Sequence, residues 1–544
     1  RDRQVGAGGD GGGERRVGQG REHRGRGCRQ VDGHGHRYHF RARLSYNAAV
    51  TDARASRGAW LRALARRPGA ALIALLLGTY AYFYQAGGWN QNSRFDLVRA
   101  MVEDHRLTID RFEKNTGDDS KKDGHYYCDK APGASWLCTP PYAIVYWLAG
   151  SPAHPSTTWL GWAAWLSIVI AIGVPAAIAA VFLVRLARAL SLDRWHGYAL
   201  ALVWSLATLA LPYSTLLYGN QLSGSLLIIG FTLLVELRHA DATATPARMI
   251  AIGGCFGLAG AVEYPAMLVV MPMAAYGLVV VWRRAGWRPL AWAVLGGAVP
   301  LGALALYHTV AFGSPGTFPY KYSVWKEPST GVFMGIGAPK WPAVKGTFWG
   351  QHRGLLYAMP WLVLMVPGAI ALGRRYLVEV LLAAWAVIAF VWLNVSIKPW
   401  HGGWATGPRY VVPMLPFAVL LCGGVLVWTR GRARALLIPA AALVGAAVLW
   451  SGAHMFAATA VKPELDEKIK RPYSTVVWKH WWKGDLAISR QSIDMAGNPP
   501  KGPKQAWNLG QQAGLPGHAS LVPLYLWWAL CAWWLVRALR RTPR

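Results

Sequence analysis

Charge is scarce in this chain. Only 15% of its 544 residues are Asp, Glu, Lys or Arg, while 53% are hydrophobic and 30 are tryptophan. That is too apolar for a soluble protein of this length and fits a polytopic membrane protein. One helical bundle can absorb most of such a length, so no division into soluble core domains is expected. Acids are scarcer than bases, 26 against 57, for a formal net charge of +31. The excess invites a nucleic-acid reading, but past the first segment Arg sits in short clusters at the ends of apolar runs, where it sets orientation in a membrane. No glycine-rich phosphate loop, Ser-His-Asp arrangement or nucleic-acid motif stands out, and no nucleic-acid partner is expected.

Methionine is absent before Met101, and aliphatic residues are nearly absent from residues 1–49. That stretch is rich in Gly, Arg and His and cannot build a core. It is expected to be a non-native or disordered extension, with Val50 as the native start, read as Met from an alternative codon. The first apolar run continues into a spanning segment, so no cleavable signal peptide is expected.

What is present is apolar length. A window of about 19 residues finds about twelve candidate spans. They lie near 68–86, 160–184, 196–216, 222–237, 249–264, 266–282, 289–311, 354–372, 377–397, 411–429, 435–453 and 521–536. Arg recurs at every second boundary, as at Arg66, Arg185, Arg238, Arg283, Arg374 and Arg430. The alternation places both termini in the cytoplasm. The long loops, 87–159, 312–353, 398–410 and 454–520, then share the outer face, where function is expected.

The first of these loops is chemically dense. Phe95, Val98, Met101 and Val102 follow helical spacing, so 94–107 reads as an amphipathic helix along the membrane surface. "PPYAIVYWLAG" is apolar but too short to cross and reads as interfacial or re-entrant. Between them lies "GHYYCDKAPG", where Asp129 and Lys130 stand beside a Pro-Gly turn. An exposed ion pair there would add little stability, which favours a functional role. Cys128 and Cys138 flank the same element, and on an oxidising face a disulfide between them is expected.

The loop's order, an early polar start, the Arg94-Phe95 pair, a helix and then "YYCDKAPGASWL", resembles the integral-membrane GT-C glycosyltransferases. The pattern is similar to the group of protein O-mannosyltransferases and lipid A aminoarabinose transferases. "HGGWATGPRYVVPMLPF" and "AFGSPGTFPYKY" resemble later loop segments of bacterial members. The resemblance implies an all-α, polytopic GT-C-like bundle. It also implies transfer of a sugar, with inversion, from a polyprenyl-phosphate carrier to an acceptor hydroxyl. Residues 50–453 would be the catalytic core, 454–520 an outer loop, and 521–544 the last span and tail. The partners would be the lipid-linked sugar donor, membrane lipids and a lipid, glycan or protein acceptor. The site would face the periplasm or exterior of a bacterial inner membrane.

Such chemistry needs a general base for the acceptor and cations for the leaving phosphate. Gln91 and Asn92 stand where the family carries its acids, so the base is expected at Asp96, one helical turn on, or at Asp118 or Asp129. Lys130, Arg94, Arg353 and Arg409 are the candidates for the phosphate, with His401 and Glu263 lining the site. Glu263 is an acid near a span end, a place that usually faces a cavity. His125, His352 and His401 with Asp129 could hold a divalent ion, but their spacing matches no compact metal motif. The Trp and basic residues mixed through 454–520 suit sugar or phosphate binding and a membrane-resting loop equally. The alternatives are a transporter or flippase for a lipid-linked sugar, or an oligosaccharide ligase using a diphosphate donor. Neither midplane charge nor internal repeats favour a transporter.

Overall fold

The computed structural model describes residues 67–324, 335–428, 434–494 and 502–541. Residues 1–49 and Val50, with the expectations placed on them, lie outside the described residues. The rest is an all-α bundle. Its main helices are α1 (Pro68–Ala81), α2 (Trp89–Glu103), α3 (Gly133–Leu148), α4 (Thr157–Ala189) and α5 (Arg194–Leu206). They continue with α6 (Gly219–His239), α7 (Pro246–Val262), α8 (Met267–Ala285) and α9 (Arg288–Phe312). The last are α10 (Met365–Ser396), α11 (Arg409–Trp428), α12 (Arg434–Val461) and α13 (Val522–Arg541).

Among the described residues, eight helical segments are long and apolar enough to cross a membrane. α1 and α7 are apolar but shorter. The expected span 196–216 is helical only as α5, and its second half breaks into turns around a four-residue helix, Ala210–Tyr213. The neighbouring spans 249–264 and 266–282 do separate. α7 ends at Glu263, whose φ of −146° and ψ of 112° are extended, and Pro265 follows. A proline there withholds the donor that a continuing helix would need. The spans 354–372 and 377–397 meet at Tyr376, where φ −127° and ψ 49° break α10 just after Arg374 and Arg375.

Starts are capped as the sequence dictates. The Ser156 hydroxyl accepts from Trp159 N at 3.3 Å at the start of α4, and Thr245 accepts from Arg248 N before Pro246 of α7. Each satisfies an amide that the first helical turn leaves unpaired. Val294, Leu306, Leu443 and Leu449 on α9 and α12 are exposed. Apolar surface of that extent needs lipid rather than water. The chain is an integral membrane protein.

The two ends of α6 mark the two faces of the bundle, about 30 Å apart for a 21-residue helix. At its carboxyl end Arg185 and Arg248 hold Glu236, at 2.6 and 3.1 Å. Beside them Glu379 takes Arg238, His239 and the Tyr276 hydroxyl, at 2.9, 2.9 and 2.7 Å. The arginines that alternate along the sequence therefore converge in space. At the amino end of α6 the long loops gather. Arg99 pairs with Asp494 at 2.6 Å, and Asn92 donates to Asn115 O and Ser492 O at 2.8 and 3.0 Å.

α2 differs from the surface helix expected over 94–107. Every residue from Asn90 to Ala100 is buried, including Asp96 and Arg99. The loops of residues 462–494 close over its polar face, so the helix is enclosed by protein rather than lipid. α3 does keep an exposed apolar edge at Ile144, Trp147 and Leu148, as an interfacial element would.

Candidate functional site

The centre of the site is made by a hairpin. β1 (Asp119–Lys122) pairs antiparallel with β2 (His125–Cys128), closed by Asp123-Gly124, both at positive φ. Asp-Gly is the turn that a two-residue hairpin prefers. The register sets Asp119 opposite Cys128, so the residues just outside the hairpin, Asp118 and Asp129, face one another. Lys130 Nζ lies between them, 2.8 Å from Asp129 Oδ2 and 3.0 Å from Asp118 Oδ2. This is not the exposed pair that the sequence implies: Lys130 and Asp129 are both buried. Burial of so polar a group is tolerable because each charge has a partner.

The Pro-Gly turn seats α3 against its neighbour. Pro132 starts α3, and a Cβ on Gly133 would stand 2.7 Å from the Ala261 carbonyl. Gly133 thus lets α3 close against the last turn of α7, two residues before Glu263. Glu263 accepts from Arg94 Nη2 at 2.9 Å, and Arg94 is steadied by Asn90 one turn earlier. Ser93 on the same helix points its hydroxyl at Asp129 Oδ1, 3.5 Å away.

Arg409 completes the cluster. Its guanidinium stacks over Tyr218 and Tyr410, with centroids at 5.6 and 5.1 Å, and donates to the Tyr410 hydroxyl at 3.2 Å. Among the described residues no carboxylate lies within ion-pairing distance of Arg409. Gly402, at φ +71°, brings its α-carbon against the Arg409 side chain, where any Cβ would crowd it. His401 faces Glu467 at 3.7 Å and accepts from Gly403 N at 3.2 Å.

Charges are distributed unequally among the acids. Burial would raise the Asp118 pKa, but the Lys130 ammonium and the Arg409 guanidinium outweigh it and hold that carboxyl below its usual value. Asp129 is pushed up, by burial first and by the Asp118 carboxylate, against the pull of Lys130. Asp119 rises to about 6 through burial and the neighbouring Asp129 and Asp118. Lys130 is raised because its two carboxylates overcome its burial.

Two expected members are placed elsewhere. Asp96 is wholly buried on α2, accepts from Asn115 Nδ2 at 3.1 Å, and shares its surroundings with Arg99, Glu103 and Asp494. Burial drives its pKa well above the ordinary carboxylate value. Arg353 is buried too and spends its guanidinium on the carbonyls of Gly403, Ala405 and Gly407, the last at 3.2 Å. It fastens the loop that carries Arg409.

The expected Cys128–Cys138 disulfide does not form. Both thiols are free and buried: Cys128 meets Ser93 Oγ at 3.2 Å, while Cys138 lies 3.7 Å from Ser167 O on α4. They belong to different packing layers. Among the described residues no group of three or more His, Cys, Asp and Glu is arranged to hold a metal. His125 is bound to Asp110 at 2.8 Å.

Glu464 was not singled out from the sequence. It is buried against the start of α2 and accepts from the Tyr218 hydroxyl at 2.9 Å. Only distance in sequence hid it: 246 residues separate it from Tyr218.

No family model matches the chain, and no curated protein matches it. Among solved structures the chain is similar to ArnT from Cupriavidus metallidurans bound to undecaprenyl phosphate. The identity is 18% and the TM-score 0.45, over 88% of this chain and 78% of that one. The apo form of ArnT gives 18% and 0.42. AglB, an oligosaccharyltransferase from Archaeoglobus fulgidus in complex with an inhibitory peptide and a dolichol-phosphate, gives 10% and 0.42, over 80% of this chain and 60% of that one. The likeness is one of fold. ArnT is the lipid A aminoarabinose transferase, and both proteins are GT-C glycosyltransferases. No residue role follows from likeness at this level.

Proposed function

We propose that this protein is a membrane glycosyltransferase that moves a sugar from a polyprenyl-phosphate carrier to an acceptor hydroxyl. One observation carries the reading. Three cations, Arg94, Lys130 and Arg409, converge at the end of a bundle of membrane-length helices, and Arg409 is held by rings rather than by an acid. A lipid phosphate entering from the bilayer would meet Arg409 and Lys130 together. Arg supplies a fork of donors and Lys a point charge, and both stabilise the charge that grows on a departing phosphate.

In this reading Asp118 and Asp129 aim Lys130, Glu263 aims Arg94, and Arg353 holds the Arg409 loop in register. Asp96, buried and bonded to Asn115, braces α2. His401 lies at the rim of the Arg409 loop, where an acceptor would approach. The arginine-rich end of the bundle is cytoplasmic and the loop end is outside, following the rule that places Arg in cytoplasmic loops.

The test uses purified protein in nanodiscs with a set of undecaprenyl-phosphate-linked sugars. Release of undecaprenyl phosphate, dependent on Lys130 and Arg409, is the expected result. Tight binding of each donor with no release from any would favour the transporter or flippase reading instead. Turnover only of diphosphate-linked donors would favour the ligase.

A further inference from the structure

The transfer reaction needs a base, and the carboxylates around Lys130 are poor ones. Asp118 and Asp129 share the Lys130 ammonium, at 3.0 and 2.8 Å, and Asp96 is enclosed on α2 beside Asn115. Gln91 and Asn92, at the start of α2, carry no charge and are engaged: the Gln91 side-chain carbonyl accepts from Leu217 N at 3.0 Å, and Asn92 donates to Ser492 O.

Resting on the transferase reading, we propose that Glu464, delivered by the loop after α12, is the general base that takes the acceptor's proton. Three placements support this. Its Oε1 is 2.9 Å from the Tyr218 hydroxyl, and the Tyr218 ring lies beneath the Arg409 guanidinium. The carboxylate therefore shares Tyr218 with the Arg409 guanidinium, one at the hydroxyl and the other over the ring. Gln91 hydrogen-bonds to it from α2. Gly88 makes room for it, since a Cβ at that position would stand 2.6 Å from both carboxylate oxygens. Any other residue at 88 would push the acid away.

The surroundings tune it. Burial raises the Glu464 pKa to about 7, opposed by Tyr218, the Lys462 ammonium, Gln91 and Arg409. Among the described residues, the charged and titratable groups facing it include Tyr218, Tyr213, Lys462 and Arg409. Lys462 itself lies over the Trp404 ring at 4.7 Å. A base with a pKa near the working pH accepts a proton in the transition state most effectively. In the step, the acceptor oxygen bonds to the anomeric carbon and its proton passes to Glu464. The bond from that carbon to the phosphate oxygen breaks, and its electron pair leaves with the polyprenyl phosphate.

The experiment compares wild type, Glu464→Gln, Glu464→Asp and Tyr218→Phe in nanodiscs between pH 5 and 9. It uses an undecaprenyl-phosphate sugar that wild type turns over, and undecaprenyl phosphate alone for binding. Wild type should lose rate about tenfold per unit as pH falls below about 7, because the base becomes protonated. Glu464→Gln should cost roughly 10²–10⁴-fold in turnover, flatten that limb and leave undecaprenyl phosphate binding unchanged. Glu464→Asp should keep the limb at reduced rate. Tyr218→Phe removes a hydrogen bond that favours the ionised form, so the limb should move to higher pH. Glu464→Gln with near-normal turnover and an intact limb overturns the assignment, as does a loss explained wholly by weaker carrier binding. Those results leave the transferase reading standing, whereas a wild type inactive with every donor defeats the transferase reading itself.

Discussion

Lys130 joins two carboxylates from opposite ends of one hairpin, Asp118 before its first strand and Asp129 after its second. Removing it leaves two facing acids without the ammonium they share. Lys130→Met should therefore lower unfolding stability by about 3 kcal/mol, at the low end for a buried pair because Asp118 is partly exposed. Adding Asp129→Asn should restore most of that stability, while transfer stays roughly tenfold to a thousandfold down. Thermal unfolding and donor turnover of the two variants give the answer. A single variant of normal stability and rate would make the cluster incidental.

Arg353 reaches three carbonyls of one loop, a span that suits a planar fork and not a point charge. Arg353→Lys should cost about 2 kcal/mol and open residues 398–408 to limited proteolysis. Undecaprenyl phosphate affinity should fall with it, since Arg409 rides on the same segment. Unchanged cleavage would mean that the loop is held by other contacts.

Gly219 opens α6 against Glu263, and a Cβ there would overlap Glu263 Oε1. Elsewhere in a helix Gly→Ala gains up to about 1 kcal/mol. Here Gly219→Ala should instead displace Glu263, free Arg94 and reduce transfer by about tenfold or more. A more stable variant with full turnover would take Glu263 out of the site.

The thiols of Cys128 and Cys138 should both be recovered free when the protein is denatured under alkylating conditions, without reductant. In the folded protein Cys128 should react slowly at pH 8, because burial and the adjacent Asp129 push its pKa up to about 11. A Cys128–Cys138 disulfide-linked peptide would contradict the packing described.

Arg99 and Asp494 are paired at 2.6 Å, so the loops that carry them lie on one face. Reporter fusions after residue 110 and within 470–510 should both read as external, and a carboxyl-terminal fusion as cytoplasmic. Opposite readings from the two loops would break the arrangement.

The sequence by itself determined the class of molecule and the phase of its helices. Long apolar runs admit few structures in lipid, and the alternation of Arg185, Arg238 and Arg283 with those runs orders them without tertiary knowledge. It also marked Asp118, Asp129, Lys130, Arg94, Glu263 and Arg409, which the structure gathers at one end. The Asp123-Gly124 turn marks the pairing across the hairpin in the sequence itself. What only the tertiary structure decided is burial and long-range company. α2 looks amphipathic in sequence yet is enclosed, because loop segments hundreds of residues away fold over its polar face. Tertiary packing likewise buries Asp96, puts Arg353 on backbone carbonyls and sets Cys128 and Cys138 against different partners. It also brings Glu464 to Tyr218 and Gly88, because proximity across so many residues is set by packing and leaves no periodic trace in the chain.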